Sequence, residues 1–560
     1  MAYIVKQSVA GGNVHIHLAE NRYVSEKRSP RQTRTYLGVL DPTENELILG
    51  ARVPEPSDEV IRLLKEKGVT YSGKRSTGPG RKRKHPLRQV SISEIANDIS
   101  KSTIKELGRV KAFEHLANEY GLLNALSSSF EESTASRLLA TAIFLACDGA
   151  PLYLADAWSD DVGMEGMSSS SISRLCAELG EDDCARDRFF QAWIKACGCP
   201  KSLVHDTTSI STYSQLLEDA EWGYNRDGEH LPQVNVALVV ARETGLPLWF
   251  RQVPGSIPDV STLKLTCQTL EALGLKNFTC SLDRGYFSRS NVNAMLKDEI
   301  GFVIGVPLTG SQAKKIIAEN RDKLNSVEYS FLWSDKRLRH IDCRYQLKTD
   351  EGTIQDLPAH LYFDPERAEI TASRIETSIL ELEQRAQKKH FTSKEQAINW
   401  IEDNSGRFSS YLNAELKGDS WHVTRNLPRV LEQVHKCGLT LILATAERQQ
   451  PTDVLEDYRC RDIAEKFFDI GKNSAGANRL RTGNATTARG RLFITFIALI
   501  LRCSLERKLR EKDLLKKYTL DETLALLKKV RSVKLSNGHT VALEVPKKTR
   551  EVAEAIGLEL

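Results

Sequence analysis

Apolar and polar residues alternate over the first fifty positions, as in Val14 to Leu18, where histidines separate valine, isoleucine and leucine. A period of two is typical of a strand with one buried face. Gly38 and Pro42 interrupt the alternation, and both residue types favour turns. The pattern predicts a small β-rich module over residues 1–72.

A helical pattern follows after a break. Residues 73–90 are rich in glycine, proline, lysine and arginine, which is typical of a linker. Beyond them, apolar residues recur three or four positions apart, and RLLATAIFLA at 137–146 is typical of a buried helix. We predict a basic linker at 73–90 and a helical DNA-binding or accessory domain over residues 91–200.

The pattern changes again at residue 201. Short apolar runs at 233–241, 246–253 and 278–282, each bounded by turn or polar residues, predict strands, and a helical stretch at 260–273 lies between them. This alternation is typical of an α/β fold with a mixed sheet. Strand pattern returns only after a long, more polar stretch. The sequence predicts an α/β core in two segments, 201–309 and 438–510, with an insertion at 310–437 and a C-terminal tail at 511–560.

Charge is informative by its position and not by its sum. The chain has 78 basic and 74 acidic residues, a net charge of +4. Residues 73–90, however, carry seven lysines and arginines and no acid. Such a block neutralises phosphates, so its centre is a candidate for DNA binding: Arg81, Lys82, Arg83 and Lys84. A solvated linker has the same composition, and this pattern alone leaves both interpretations open.

The eleven cysteines are scattered, and no two pairs have zinc-like spacing. Free thiols in the cytoplasm are the natural expectation.

The first residues contain no apolar stretch of signal-peptide length. The most apolar run, at 492–505, is interrupted by Arg502 and is shorter than the roughly 20 residues of a membrane span. We expect a buried core helix there and no membrane partner.

Two aspartates occupy similar contexts. Asp206 closes SLVHD and Asp283 closes FTCSLD, so each is predicted at the C-terminal end of a strand. Functional side chains gather at this edge of α/β sheets. After Asp283, a turn leads to Ser288, which is predicted to cap a helix through Leu296. A single aspartate of this kind is commonly a turn residue, but two in one domain suggest a shared site.

A third element lies in YRCRDIAEKFFDIGK at 458–472. On one continuous helix, Tyr458, Arg461, Glu465 and Lys472 fall within about 60° of arc. The stripe combines an aromatic ring, two cations and one acid, which suits a phosphate held beside a metal-binding carboxylate. An amphipathic surface helix with an Arg461–Glu465 ion pair explains the same pattern without any function.

The spacing Y-x2-R-x3-E-x6-K resembles the signature of insertion-sequence transposases with a DDE catalytic triad. HDTTSIS at 205–211 and LDRGYFS at 282–288 resemble the two aspartate motifs of these enzymes. The intervening strands at 225–238 and 245–263, and the helix at 490–501, are similar as well. The resemblance covers roughly residues 200–310 and 438–505, with the motifs in the same order.

The resemblance implies a ribonuclease-H-like mixed sheet with a largely β insertion between the second aspartate and the glutamate. It implies that Asp206, Asp283 and Glu465 are catalytic and bind two divalent ions, normally Mg²⁺ with Mn²⁺ possible. Two ions about 3.5–4 Å apart serve the attacking and leaving oxygens of a phosphoryl transfer. His205 could tune this site or simply pack. The acids of 225–233, among them Asp227 and Glu229, are rival ligands.

The resemblance also implies partners. Arg461 and Lys472 would clamp DNA phosphates and Tyr458 would hydrogen-bond one, with Trp333 as a weaker candidate for holding a flipped base. Double-stranded DNA, as transposon ends and as target, would be bound by a homodimer in a synaptic complex. The expected localisation is cytoplasmic, associated with the nucleoid.

The implied activity is transposition: binding of terminal inverted repeats, donor cleavage and joining of 3′-hydroxyl ends to target DNA. A ribonuclease-H-like nuclease without strand transfer is one alternative. A catalytically silent DNA-binding protein derived from a transposase is another.

Overall fold

The computed structural model describes residues 2–9, 13–24, 29–76, 100–164, 167–226, 228–349, 351–445, 450–460, 464–465, 468, 471–472, 479–480, 482–535 and 538–559. The chain forms two compact units, Met1–Ser100 and Lys101–Leu560. The first unit therefore extends beyond the residues 1–72 predicted for the N-terminal module.

The described part of the first unit contains a four-stranded antiparallel sheet and a helix. Its strands follow chain order: β1 (Ala2–Ser8), β2 (Val14–Val24), β3 (Ser29–Asp41) and β4 (Glu46–Leu49). Helix α1 (Asp58–Glu66) contributes Leu64 to the core. The predicted alternation is visible in β2, where Ile16 is fully buried between less buried histidines.

The second unit is organised around a nine-stranded sheet in the order β11-β12-β13-β16-β10-β9-β6-β7-β8. These strands are β6 (Ser202–Ser211), β7 (Gln233–Ala241), β8 (Pro247–Pro254), β9 (Thr279–Leu282), β10 (Gly301–Val306), β11 (Ser330–Trp333), β12 (Lys336–Lys348), β13 (Ile354–Phe363) and β16 (Leu439–Ala444). Two small sheets accompany it: β14 (Leu412–Lys417) with β15 (Ser420–Arg425), and β5 (Thr103–Glu106) with β17 (Arg531–Lys534) and β18 (Thr540–Ala542).

Sixteen named helices complete the described part of this unit. They are α2 (Gly108–Glu119), α3 (Leu122–Ser127), α4 (Glu132–Asp148), α5 (Ala155–Val162), α6 (Ser169–Glu181), α7 (Asp183–Ala196), α8 (Asp259–Ala272), α9 (Arg289–Lys297), α10 (Ser311–Asn325), α11 (Pro365–Gln387), α12 (Lys394–Ser405), α13 (Leu427–Val434), α14 (Pro451–Arg459), α15 (Ala485–Glu511), α16 (Leu520–Leu527) and α17 (Lys547–Ala555). Ser288 caps α9 through the amide of Asn291, as the sequence predicts.

The strand directions confirm the ribonuclease-H-like core. Strands β8, β7 and β6 pair antiparallel, and β6, β9 and β10 then pair parallel. The predicted strands at 233–241, 246–253 and 278–282 correspond to β7, β8 and β9 within a residue or two. A mixed sheet of this kind places the ends of its parallel strands at one edge, where polar side chains can leave the sheet.

Helix α15 is the central helix of the unit. It contains the apolar run at 492–505, and that run is buried. Arg502 is 3% exposed, and its guanidinium donates to the carbonyl of Ala146 at 2.8 Å and to Asp521 at 2.6 Å. The charge of Arg502, which interrupts the apolar run, is thus balanced by partners within the protein.

The helices of 91–200 do not form a core of their own. Residues from α2 to α7, such as Phe113, Phe144 and Trp193, belong to the same buried cluster as β6 and α15. Within the C-terminal tail, Leu527 and Val552 join that cluster too. The structure therefore places one boundary near residue 100, and the predicted helical domain and tail are parts of the second unit. Amphipathic spacing identifies a buried face but does not reveal what covers it.

The insertion also differs from the largely β segment that was expected. Strands β11, β12 and β13 extend the main sheet, because β13 pairs antiparallel with β16. Helices α11, α12 and α13 and the hairpin β14–β15 surround a separate small core that includes Ile379, Phe391 and Leu412. The insertion is thus part sheet extension and part helical subdomain.

Within the described residues, no single helix is both long and apolar enough to cross a membrane. Helix α4 and the helical segment Leu152–Val162 meet the length and composition criteria only as a pair, and the pair bends by 105°.

Candidate active site

The register pairs His205 of β6 with Leu282, the last residue of β9, so the next residue along each chain segment is an aspartate: Asp206 within β6 and Asp283 directly after β9. The negative charge of Asp283 contributes to a raised pKa of Asp206, as expected for two close carboxylates. The structure brings together the two aspartates that the sequence singled out.

The position of Asp206 corrects one expectation. It lies in the middle of β6 and not at its end, because β6 continues to Ser211 while paired with β7. Strand β9 is much shorter and ends at Leu282. Beyond His205, therefore, β6 is no longer paired with β9, and its next parallel contact is an isolated bridge between Ser211 and Arg479.

Asp206 is only 8% exposed and is held by two donors. The backbone amide of Thr207 donates to Oδ1 at 2.8 Å, and Nη1 of Arg226 donates to the same oxygen at 3.2 Å. Burial is the largest effect on this carboxyl and raises its pKa, whereas Arg226 lowers it. Asp206 is a buried acid whose charge is balanced by one cationic side chain.

Asp283 begins a 3₁₀ turn, Arg284–Tyr286, directly after β9. The hydroxyl of Tyr458 in α14 donates to Oδ1 of Asp283 at 3.5 Å. Tyr458 lies over Gly305 of β10, where a Cβ atom would approach its hydroxyl oxygen to 2.5 Å. A glycine in β10 thus leaves room for the tyrosine that reaches the second aspartate.

A buried pair of rings, those of His205 and Tyr286, lies close to both aspartates along the chain. Tyr286 is 1% exposed, and its hydroxyl shares a hydrogen bond with the hydroxyl of Thr207. The ring of His205 packs edge-on against Tyr286, with centroids 4.9 Å apart. Burial, with a smaller contribution from Arg226, lowers the pKa of His205 to about 3, so its imidazole is neutral. Of the two roles considered for His205, the structure shows the packing role.

The segment that carries Glu465 differs from the single continuous helix assumed from periodicity. Helix α14 ends at Arg459. Glu465 lies in a further helical piece and is exposed, whereas its neighbour Ala464 is fully buried. Arg461 lies outside the described residues. Periodicity could not reveal the helix end, because the apolar spacing continues past it.

The four stripe residues therefore have different surroundings. Tyr458 is 6% exposed and packs with Val454, Leu455 and other core residues, so its hydroxyl contacts a carboxylate in this structure. Lys472 and Gly471 line a small cavity together with Thr208 of β6. The phosphate contacts expected of Tyr458, Arg461 and Lys472 stay predictions.

The loop between β6 and β7 closes one side of the site. Glu229 accepts two hydrogen bonds from the guanidinium of Arg479, at 2.9 and 2.7 Å. Hydrogen bonding from Ser211, and then from Arg479, holds the pKa of Glu229 below its usual value, with a further contribution from the charge of Lys472. Glu229 is therefore engaged as an ion-pair partner. Asp227, the other rival ligand, lies outside the described residues.

Only the start of the basic block at 73–90 belongs to the described residues. Arg81, Lys82, Arg83 and Lys84 lie outside the described residues. The described start of the basic block is neutralised locally: Lys74 contacts Glu44 and Glu46, both at 2.7 Å, and Arg75 contacts Glu55 at 2.7 Å.

Trp333 has a packing role in the structure. It is partly buried against the cluster that contains Tyr458, and the guanidinium of Arg459 lies 5.8 Å from its ring centroid.

Sequence reasoning missed the contact of Arg226 with Asp206 and that of Arg479 with Glu229. The only signal was the charged turn at 225–229, which marked the place but not the pairing.

Comparisons with known proteins identify the family of this chain. The chain has no significant match among curated proteins. Among solved structures, a cryo-EM structure of the piggyBac transposase synaptic complex with hairpin DNA is similar to it with a TM-score of 0.33 and 10% identity, over 75% of this chain and 70% of the other. The sequence profile of the family described as Transposase DDE domain matches residues 198–501, more than half of the chain, from just before β6 to a point within α15. The chain belongs to the DDE transposase family.

Proposed function

We propose that this chain is a cut-and-paste DNA transposase that cleaves at its own terminal inverted repeats and joins the 3′-hydroxyl ends to target DNA. One observation carries the proposal: the pairing of two parallel strands brings Asp206, within β6, next to Asp283, directly after β9, in a chain of this family. Glu465 is proposed as the third carboxylate.

The chain neighbours of Glu465 support its assignment. Before it, Tyr458 contacts Asp283. After it, Gly471 and Lys472 line the same cavity as Thr208, which lies two residues beyond Asp206 and on the same face of β6. Among the described residues between Tyr458 and Gly471, Glu465 is the exposed carboxylate.

The aspartates suit a divalent cation. Two carboxylates on adjacent strands repel each other, and a cation between them relieves that repulsion. Their oxygen donors are those preferred by Mg²⁺, which Mn²⁺ can replace. Asp206, Asp283 and Glu465 would hold the ions, which supply a polarised water or hydroxyl nucleophile and stabilise the leaving oxyanion.

Arg226 is proposed to move between two anionic partners. In this structure its guanidinium neutralises Asp206. A cation at Asp206 makes that contact unnecessary and leaves Arg226 available for a DNA phosphate, for which its planar fork is well suited.

This exchange predicts the pH dependence of metal binding. Burial raises the pKa of Asp206, so protons compete with Mg²⁺ at a higher pH than at an ordinary aspartate. Arg226 opposes this shift, so in Arg226→Ala the loss of binding should begin at a still higher pH. The pH dependence of binding is measured by titrating the metal-free protein with Mn²⁺ at pH values between 5 and 8, with electron paramagnetic resonance as the readout. Arg321→Ala, on the exposed face of α10, is the control, and identical pH profiles for the two variants would contradict the role of Arg226.

The loop that carries Arg226 also displays exposed aromatic rings. Tyr224 is 86% exposed and Trp222 is 67% exposed. The backbone beneath them is fixed, because Gln233 and Ser209 donate to the carbonyl of Tyr224 at 2.9 and 3.4 Å. A rigid loop with outward rings next to Asp206 is suited to stacking on bases of a DNA end.

Replacing Tyr224 with alanine is expected to weaken binding of an end duplex with unpaired terminal bases by about 10-fold, since stacking on one ring contributes roughly 1–3 kcal/mol. Fluorescence anisotropy measures this affinity. Tyr153→Ala is the matched control, because Tyr153 is 64% exposed but belongs to the helical part of the unit. Equal losses in the two variants would remove Tyr224 from the DNA interface.

A joining assay tests the proposed function. Labelled duplex carrying the element's end is incubated with protein, Mg²⁺ and a target plasmid, and joined products are resolved on a gel. Joined product in Mg²⁺ but not in EDTA supports the proposal. Cleavage without joining supports the nuclease alternative, and binding without cleavage supports the silent DNA-binding alternative. Chemical cross-linking with end DNA tests whether two copies of the chain assemble on paired ends.

A further inference from the structure

A second group of metal-type ligands lies on the sheet extension, away from the carboxylates described above. His340 and Asp342 are two residues apart on β12 and therefore share a face. His360 on β13 lies directly opposite Asp342 in the antiparallel register. Both histidines are buried, at 9% and 4% exposure, whereas the side chain of Asp342 is 77% exposed.

Three potential ligand atoms converge there. Nε2 of His340 lies 3.1 Å from Nδ1 of His360, and Oδ1 of Asp342 lies 3.4 and 3.1 Å from these two nitrogens. In a tetrahedral zinc site with bonds of about 2.0 Å, neighbouring ligand atoms are about 3.3 Å apart. The observed triangle has the dimensions of one face of such a tetrahedron.

Protons alone do not satisfy all three contacts. A neutral imidazole nitrogen either donates or accepts. If His340 donates to His360, then Nδ1 of His360 is an acceptor and faces the carboxylate oxygen of Asp342. If both imidazoles donate to Asp342, two N–H groups face each other. A cation receives lone pairs from all three atoms at once.

The orientation of the rings sets what binding requires. The imidazole centroids are 5.4 Å apart and their planes differ by 19°, so the rings meet at their nitrogen edges and not face to face. A rotation of each ring toward Asp342 directs both lone pairs to a shared point. The solvent side of Asp342 leaves room for water to complete the coordination shell.

We propose that His340, Asp342 and His360 bind one transition-metal cation, Zn²⁺ in the first instance. Imidazole nitrogens favour such borderline cations, whereas the all-oxygen set at Asp206 and Asp283 favours Mg²⁺. The two sites are therefore chemically distinct.

The surroundings of the site indicate a structural role. The ring of His340 packs against Tyr362, with centroids 4.8 Å apart, and Tyr362 belongs to the buried cluster that contains Tyr458. A cation shared by β12 and β13 cross-links two strands on the side of the sheet where Tyr458 packs. It would stabilise the support of Asp283 without taking part in phosphoryl transfer.

Cobalt titration tests the proposal directly, because Co²⁺ in a nitrogen-containing site of low coordination number gives visible absorption. The untagged, metal-free protein carries Asp206→Asn and Asp283→Asn to remove the carboxylate site. Further variants are His360→Asn, Asp342→Asn and the matched control His422→Asn, an exposed histidine on β15. Asp342 is exposed, so its variant keeps the test valid if His360→Asn fails to fold.

We expect one equivalent of Co²⁺ to bind, Zn²⁺ to displace it, and the control to behave as the parent. Removal of a ligand should weaken binding by at least about 100-fold, since even supporting residues around a metal contribute 10–100-fold. Zn²⁺ should also raise the melting temperature of the parent and the control but not of Asp342→Asn. Absence of stoichiometric Co²⁺ binding, or binding unchanged in both ligand variants, would overturn the proposal in favour of a hydrogen-bonded histidine pair.

Discussion

Replacement of Asp206 or Asp283 by asparagine is expected to reduce cleavage of end DNA by at least about 1,000-fold, and Glu465→Gln should do the same. Each change keeps the size of the side chain but removes a negative charge that holds the cation. Loss of one preorganised charge-stabilising group typically slows an enzyme by 10²–10³. Single-turnover cleavage of a labelled duplex in Mg²⁺ measures the effect, with Asp322→Asn on the exposed face of α10 as the control.

Stability separates this effect from misfolding. The pKa of Asp206 is raised in the folded protein, so its ionised carboxylate lowers the free energy of unfolding at pH values above that pKa. This loss of stability disappears as the pH falls below the raised pKa. Asp206→Asn removes the penalty, so the metal-free variant should melt at least as high as the parent. An inactive Asp206→Asn that melts well below the parent would indicate a structural role for this aspartate. Normal cleavage by any of the three variants would exclude that residue from the metal site.

A large loss of stability is expected from Gly490→Ala. Helices α6 and α15 touch backbone to backbone: a Cβ atom at Gly490 would lie 1.8 Å from the carbonyl oxygen of Cys176, and one at Gly180 would lie 1.9 Å from that of Thr486. Carbonyl groups within helices cannot turn away, so the helices must separate. We expect the free energy of unfolding of this unit to fall by about 3 kcal/mol, at the upper end of the usual cost of overpacking.

Denaturant unfolding followed by circular dichroism measures this loss. Gly310→Ala is the control, because a Cβ atom there meets no other atom within 4 Å. It should change stability by less than about 1 kcal/mol. If Gly490→Ala unfolds at the same denaturant concentration as Gly310→Ala, the packing of α6 against α15 is not as described.

Local patterns in the sequence were sufficient to identify the two aspartates of the site. The apolar runs before Asp206 and Asp283 identified two strands, and the chemistry of aspartates after such runs suggested a shared edge. Adjacency itself could not be read locally, because it depends on the register of β6 with β9, about 80 positions apart in the chain. The family resemblance supplied the association that the strand patterns lacked.

Contacts made by returning loops were not predictable in the same way. Arg226 pairs with Asp206 because a 21-residue connection folds back over β6. His340, Asp342 and His360 looked like ordinary strand residues, and only the pairing of β12 with β13 brings them together. Similarly, periodicity at 458–472 predicted one helix, whereas α14 ends at Arg459. Such features depend on tertiary packing, which overrides local propensity.

We infer that Asp206, Asp283 and Glu465 jointly hold divalent cations at the DNA end. An anomalous difference map from crystals of the protein with end DNA and Mn²⁺ tests this inference most directly. We expect manganese density that contacts the carboxylates of both aspartates and of Glu465, next to the scissile phosphate. Manganese bound elsewhere, with Asp206 still paired to Arg226 beside the DNA end, would contradict it.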